Sequence, residues 1–480
     1  MPAGTHPDPP HKHEIYTVIK QSLDKLGEND KIANGMEFDY YTFSIEEIEL
    51  LNYRKFAQLN MIFDKSVTAL TAPNGGGKSA VLSALAVGCS LFIQQFNVES
   101  GIRGFNIADH RLVKQQGGGM TPASGDVEIH CRGTIGHKTI FWQRERSYGE
   151  DTRTRISNAL ELQQAARQFL SKSSAADCDN AAPYPVAPLI AFYDTQRQFN
   201  KLRLTQKRKV RRADRFEGYM DCLTSGSYIR IFKDWYKSLT TQVMQESVGS
   251  SLHTQLSNQL SIVKHAVNIA LEHVGWHNLK WDFIHNDLSL EHENQGTLCY
   301  SQLSDGIQSV LSLITDLVHR AVRINPVAPP DLLENISGFV MIDEIDMFLH
   351  PDWQQHIIRV YTKIFPKVQF VISTHSPQVL STLRKEQIRI ITTEENGTAQ
   401  VYQPETNPYA QSASLSLTHI FNVNPVPDVE EKPLIAKLQQ LYRNGKFAEG
   451  DRLRLELSAH GIDIMESDVD FWKFMAPYSN

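Results

Sequence analysis

Residues 66–93 read SVTALTAPNGGGKSAVLSALAVGCSLFI, and the order of the parts decides the fold. A short β-prone run ends at Thr71, a glycine-rich turn follows, and an apolar helical run begins at once, which is one strand–turn–helix unit. The turn, Ala72-Pro-Asn-Gly-Gly-Gly-Lys-Ser79, fits the phosphate-loop pattern GxxxxGK[ST], with Ala72 in place of the first glycine. Gly75, Gly76 and Gly77 let backbone N–H groups approach phosphate oxygens, and the helix N-terminus adds its positive dipole end. Lys78 is placed to reach the β and γ phosphates and Ser79 to hold Mg²⁺, so Asn74 to Ala80 is the expected nucleotide cradle, with ATP and Mg²⁺ as its ligands.

A second element lies far downstream. Phe339-Val-Met-Ile-Asp343-Glu344 ends an apolar strand in two carboxylates. In a phosphate-loop architecture the first, Asp343, meets Mg²⁺, and Glu344 is the candidate general base for an attacking water. The next apolar strand, VQFVISTH, ends in His375, where a neutral imidazole can touch a γ-phosphate. Between the phosphate loop and the acid strand stands Leu303-Ser304-Asp305-Gly306-Ile307-Gln308, opening a long amphipathic helix. Alone, LSDG is equally an ordinary helix N-cap.

Taken together, the phosphate loop, long insertion, LSxG helix, DE strand and His strand resemble the ABC-type ATPases of the SMC, RecF and OLD-like branch over most of residues 43–385. The resemblance implies an α/β head, a mixed sheet with flanking helices. It also implies a head-to-tail dimer in which Ser304, Asp305, Gly306 and Gln308 of one chain face the nucleotide of the other. Asp346 and His350, behind the acid pair, would face the neighbouring subunit. Asn52-Tyr-Arg-Lys55 resembles the early NFR-type strand motif, which makes Arg54 a candidate near the nucleotide. For the Q-loop glutamine, Gln143 and Gln116 both stay open.

YDTQRQF at 193–199, LSDGIQSVLSLITDL, MIDEIDMFLHPDWQ and STHSPQVLST resemble the bacterial antiphage ATPases of the Septu and retron-associated type. Such proteins act with a separately encoded HNH nuclease, and that partner is implied here by the resemblance. The alternative is a RecF-like DNA-repair ATPase without a nuclease. A transporter subunit fits poorly, because the chain is about twice the needed length.

Composition agrees with a globular machine. The 480 residues carry 48 Lys plus Arg against 54 Asp plus Glu, a formal charge of −6, with 41% hydrophobic and 21% charged residues. These values exclude collagenous, disordered and supercharged classes. Cysteines 89, 131, 178, 222 and 299 are odd in number and form no CxxC pair, so a reducing, cytoplasmic setting is expected. No apolar run reaches membrane-spanning length, and the opening MPAGTHPDPPHKH has no signal-peptide core.

The expected organisation is a flexible tail at 1–13, an N-terminal lobe at 14–200, and an inserted helical subdomain with a basic stretch and hairpin at 201–300. A C-terminal lobe at 301–428 and a helical tail at 429–480 complete it. The basic stretch, KLRLTQKRKVRRADR at 201–215, offers Lys207, Arg208, Lys209, Arg211 and Arg212 as candidate DNA contacts, or a solvated face. Residues 172–186 read as a loop. Asp468 and Asp470 spell DxD, yet no metal-binding module fits around them so near the C-terminus. His285 and His292 flank a hairpin, so this chain is expected to hold no nuclease site of its own.

Overall fold

The computed structural model describes residues 38–96, 98, 103–115, 118–147, 154–155, 159–176, 184–195, 215–224, 229–327, 329–421, 423 and 429–475. The N-terminal tail, Gln116 and the five basic candidates from Lys207 to Arg212 lie outside these residues. The chain opens with β1 (Phe38–Tyr40), β2 (Phe43–Tyr53), β3 (Phe56–Ile62), β4 (Val67–Thr71) and α1 (Lys78–Gln94). Then come β5 (Leu112–Lys114), β6 (Met120–Pro122), β7 (Val127–Ile135), β8 (Lys138–Arg146), β9 (Thr154–Arg155), α2 (Leu160–Ala176), β10 (Tyr184–Val186) and β11 (Leu189–Tyr193). The insertion holds α3 (Ile229–Gln245), α4 (Ser251–Leu271), β12 (Trp276–Asp282), β13 (Asp287–His292) and β14 (Gly296–Cys299). The chain continues through α5 (Asp305–Ile324), α6 (Leu332–Asn335), β15 (Gly338–Ile342), α7 (Pro351–Ile364), β16 (Val368–Ser373), α8 (Pro377–Leu380), β17 (Ile388–Thr393) and β18 (Ala399–Tyr402). It ends in α9 (Ala413–His419), α10 (Lys432–Arg443), α11 (Phe447–Ala459) and α12 (Glu466–Met475).

Six strands form the central sheet in the order β11-β15-β16-β4-β17-β18, parallel except for the antiparallel edge strand β18. Strands buried on both faces read as continuous apolar runs, which is how β11, β15 and β16 stand in the sequence. One strand, β16, separates the phosphate-loop strand β4 from the acid strand β15. The C-terminal ends of β15, β16 and β4 therefore open onto one edge, where ligands of parallel α/β sheets bind.

A second, antiparallel sheet, β3-β2-β7-β8-β9, covers the other side of α1. Helix α1 touches strands of both sheets and is buried nearly all round, as expected of a helix with no polar face. Gly88 lets the second sheet approach: a Cβ there would stand 2.9 Å from Cys131 Sγ, and the Gly88 carbonyl accepts Trp142 Nε1–H at 3.0 Å. Gln369 of β16 ties the sheets by accepting from Ile45 N–H at 2.9 Å and donating to Ile45 O at 2.8 Å.

Helices α3 and α4 precede the three-stranded sheet β12-β13-β14, and Asn286 between β12 and β13 takes the left-handed turn conformation, φ 51°. One expectation fails. Helix α2 runs to Ala176 and β10 starts at Tyr184, so both ends of the stretch read as a loop are ordered, because Phe169 and Ala166 anchor α2 to the core that α1 also fills and β10 pairs with β1. Contacts divide the chain at Ala413/Ser414. The second unit has a small core of its own, including Leu438, Tyr442, Leu457 and Trp472. Asp468 and Asp470 lie on α12. Among the described residues no helix is long and apolar enough to cross a membrane, and Cys89, Cys131, Cys222 and Cys299 are buried free thiols.

Helix α5 carries a buried polar network. Arg320 Nε donates to Asp316 at 2.8 Å, and Tyr193 OH donates to the same carboxylate at 2.7 Å. His319 packs on Trp235, centroids 4.7 Å apart, and burial pushes its imidazole from the ordinary 6.5 down to about 3. Asp316 pulls the other way, while Arg320 and Arg323 add to the depression. A folded-state value below the unfolded one means that the unfolded chain binds the proton first as pH falls. Stability is accordingly expected to drop below about pH 6.5 by roughly 1 kcal/mol per pH unit from this group. Urea unfolding between pH 5 and 6.5 should show a shallower pH slope for His319→Phe than for the parent; identical slopes would refute the assignment.

Candidate nucleotide-binding site

The phosphate loop is built by steric necessity. Gly75 and Gly77 adopt left-handed φ values of 70° and 97°, and Gly76 N–H closes the turn onto Pro73 O at 2.8 Å. A Cβ on Gly76 would fall 2.4 Å from the Ala72 Cβ, and one on Gly77 2.2 Å from the Phe56 ring. Ala72, the departure from the usual first glycine, is itself buried against Gly76. Its methyl group is accommodated because Gly76 has no side chain.

Helix α1 then starts at Lys78 with no side-chain cap and no acidic residue in its first turn, so nothing in that turn competes with an anion for the orphan N–H groups. Lys78 is buried, and its Nζ donates to Ala72 O at 3.2 Å. Burial lowers the Lys78 amine below its ordinary value, while Asp343, Glu344 and Asp346 pull it back up. Ser79 and Asn74 are exposed beside it, and Ala80 is buried.

Across β16 stands the acid pair. Ser373, the last residue of β16, donates its hydroxyl to Asp343 Oδ1 at 2.5 Å and accepts Glu344 N–H at 2.8 Å. That one hydroxyl holds the Asp343 carboxylate and the Glu344 backbone. Glu344 sits at φ 47°, a strained conformation for a non-glycine residue that the surrounding bonds must hold. Asp343 is buried and Glu344 half-buried. Thr374 Oγ1 donates to Asp346 at 2.5 Å, fixing the start of the loop after the acids.

His375 is half-buried. Burial and then Lys78 hold its imidazole below the ordinary value, against the pull of Asp346, Glu344 and Asp343. It is thus biased toward the neutral form, with one ring nitrogen as donor and the other as acceptor. The mutual influence of Lys78, Asp343, Glu344, Asp346 and His375 places all five at one sheet edge. The residues fit a magnesium triphosphate. Ser79 and Asp343 supply the oxygen donors such an ion prefers, and uncapped N–H groups and a buried lysine supply the anion site.

Ser304 caps α5 in extended geometry, yet its side chain makes no cap hydrogen bond and is exposed. Asp305 is also exposed. A Cβ on Gly306 would meet only Phe348 O, at 3.7 Å, so the LSxG turn lies against the loop that starts at Asp346. Gln308 is turned inward, donating Nε2–H to Leu303 O at 2.7 Å. His350 instead caps α7, accepting Asp352 N–H at 3.3 Å.

Arg54 reaches α1 one turn beyond the loop. Its Nε donates to Asp109 at 2.9 Å and its Nη2 to Ser83 Oγ at 2.9 Å, four residues beyond Ser79 on the same helix face. Two further basic residues, which sequence reasoning missed, reach the loop or the same turn of α1. Lys55 Nζ donates to Gly75 O at 3.0 Å, on the phosphate loop itself. Arg103 Nη2 shares Ser83 Oγ at 2.5 Å, and its charge feels Asp194 just past β11. Lys55 was adjacent to Arg54 in the motif, so register alone could have flagged it. Arg103 carries no local signal. Gln143 lies in β8 and donates to Glu128 at 2.9 Å within the second sheet.

A family profile described as "AAA domain, putative AbiEii toxin, Type IV TA system" matches residues 153–381. The chain is 24% identical to the Retron Vc95 probable ATPase of Vibrio cholerae serotype O1 biovar El Tor over 474 residues, 89% of this chain and 88% of that protein. It is 27% identical to the Retron Ec83 probable ATPase of Escherichia coli over 482 residues, covering 89% and 84%. The Septu protein PtuA of Bacillus thuringiensis is 24% identical over 196 residues, 41% of this chain and 48% of that protein. Among solved structures, the SmcHead bound to the C-winged helix domain of ScpA matches at 14% identity and TM-score 0.45, over 75% of this chain and 98% of that chain. The SMC head domain from Thermotoga maritima matches at 14% and 0.41, over 76% and 100%.

Proposed function

We propose that this chain, an ABC-type ATPase related to the retron ATPases and to PtuA, closes as a head-to-tail dimer around ATP and so controls a separately encoded HNH nuclease in antiphage defence. The observation that carries the reading is Ser304: a helix-capping serine, exposed, whose hydroxyl caps nothing in its own chain. Ser304 and Gly306 form half of a γ-phosphate site, and Lys78 with its loop forms the other half on a second copy.

In this reading Lys78 exchanges its bond to Ala72 O for phosphate oxygens, and the amides of Gly75 to Ser79 orient the chain of phosphates. Ser79 and Asp343 would hold Mg²⁺, which would supply charge neutralisation at the phosphates. Glu344 accepts a proton from the attacking water, and Ser373 keeps its backbone fixed meanwhile. His375, neutral, makes a hydrogen bond to the γ-phosphate without adding charge.

Native mass spectrometry of the chain co-expressed with the product of its neighbouring reading frame tests the assembly. Paired copies with ATP retained and nuclease attached are expected. Ser304→Arg, which puts a bulky side chain where the second copy's phosphate would lie, should abolish ATP-dependent pairing while changing ATP affinity of the single chain less than about threefold. Pairing that survives Ser304→Arg would reject the sandwich. ATP-dependent DNA binding by the chain alone, with no nuclease retained, would favour the repair-type reading instead.

A further inference from the structure

Helix α7 begins just beyond the Asp346 loop, and its first turns read Asp352-Trp-Gln-Gln-His356. Four residues apart, the carboxylate and the imidazole share one helix face. Opposite them stands His273, in the 3₁₀ turn Glu272–Val274 that joins α4 to β12. His273 Nε2 is 3.4 Å from Asp352 Oδ2, and His356 Nε2 is 3.8 Å from Asp352 Oδ1. The two imidazole centroids are 4.6 Å apart, and one donor atom from each of the three residues lies within 4.8 Å of the others.

The arrangement is held from outside. Buried Trp353 meets the His273 ring edge-on, centroids 4.1 Å apart at 84°, which fixes the plane of that imidazole. Farther along α7, Lys363 pairs with Glu272 at 2.6 Å and pins the same turn to the helix. Two imidazolium rings so close would repel, whereas a shared cation turns the same proximity into attraction.

We propose that His273, Asp352 and His356 form a binding site for a divalent transition cation of the zinc class, with water in the fourth position. Two imidazole nitrogens and one carboxylate suit zinc, whereas magnesium and calcium call for oxygen-only shells. Tetrahedral bonds of about 2.0–2.1 Å set neighbouring donors roughly 3.3 Å apart, whereas the three donors here lie within 4.8 Å of one another, so the side chains must draw together around the ion to complete the site. The ion would staple the inserted α4–β12 junction to the helix that continues the Asp346 loop. A second cluster, Asp282, His285 and Cys299, is a weaker host because Asp282 already accepts from Ile284 N–H, His285 N–H and His285 Nδ1.

The test is zinc competition against a chromophoric chelator, with elemental analysis, on full-length nucleotide-free protein stripped with chelator. His6, His11 and His13 are replaced by Ala in every sample, so that the N-terminal histidines cannot contribute. One tight equivalent is expected, with affinity lowered on the order of 100-fold or more by His273→Ala or His356→Ala and unchanged by His285→Ala. Zinc should raise the Tm of the parent and not of the two ligand variants. His273→Gln and His356→Gln replace any alanine variant that fails to melt cooperatively. No zinc bound by the parent, or equal affinity in folded ligand variants, overturns the proposal.

Discussion

Lys78→Ala is expected to weaken ATP binding by about 10²–10⁴-fold. The lysine is buried at the base of the loop, where its amine can make two charge-assisted hydrogen bonds to a triphosphate, each contributing about 1.5–3 kcal/mol. Its loss also removes the side-chain cation that faces Asp343, Glu344 and Asp346. The nucleotide-free fold should not suffer, since the amine is held below its ordinary value by burial and its removal relieves a desolvation cost. Equilibrium binding of a fluorescent ATP analogue, beside a thermal melt, separates these effects. A dissociation constant within about threefold of the parent would reject the assignment of this loop to nucleotide.

Glu344→Gln should cut turnover by about 10²–10⁴-fold, the usual loss when a positioned general base is removed, and should leave ATP trapped. The amide keeps the size of the side chain, and the backbone N–H of residue 344 still reaches Ser373, so the geometry of the strand end persists. Asp343→Asn provides the contrast, because it weakens the metal position and should reduce retention instead of prolonging it. Retained nucleotide after gel filtration, together with phosphate release, distinguishes the two variants. Equal retention by the parent and Glu344→Gln would remove Glu344 from the base role.

Much of the site was legible because its parts are local. The phosphate loop is contiguous, and the acid pair and His375 each end an apolar run that cannot be other than a buried strand. The roles of neighbours were not legible. Ser373 looks like any strand-terminal serine until β16 is placed between β15 and β4, where its hydroxyl reaches both acids. Arg54 has the motif, and only the fold shows that its guanidinium bonds Asp109, 55 residues away, while Lys55 bonds the Gly75 carbonyl. The reach of α2 to Ala176 was missed because a polar run ending in small residues has loop composition, and only its contact with the core keeps it helical.

The sequence by itself determined the strand–loop–helix unit, the acidic and polar ends of the apolar strands and the capping serine of α5, because each depends on residues within a few positions of one another. Tertiary structure alone decided which acids share Ser373, which cation faces the phosphate loop and that His273 meets α7. Those pairings join residues 20 to 79 positions apart, and chain crossovers, which leave no local pattern, set their distances.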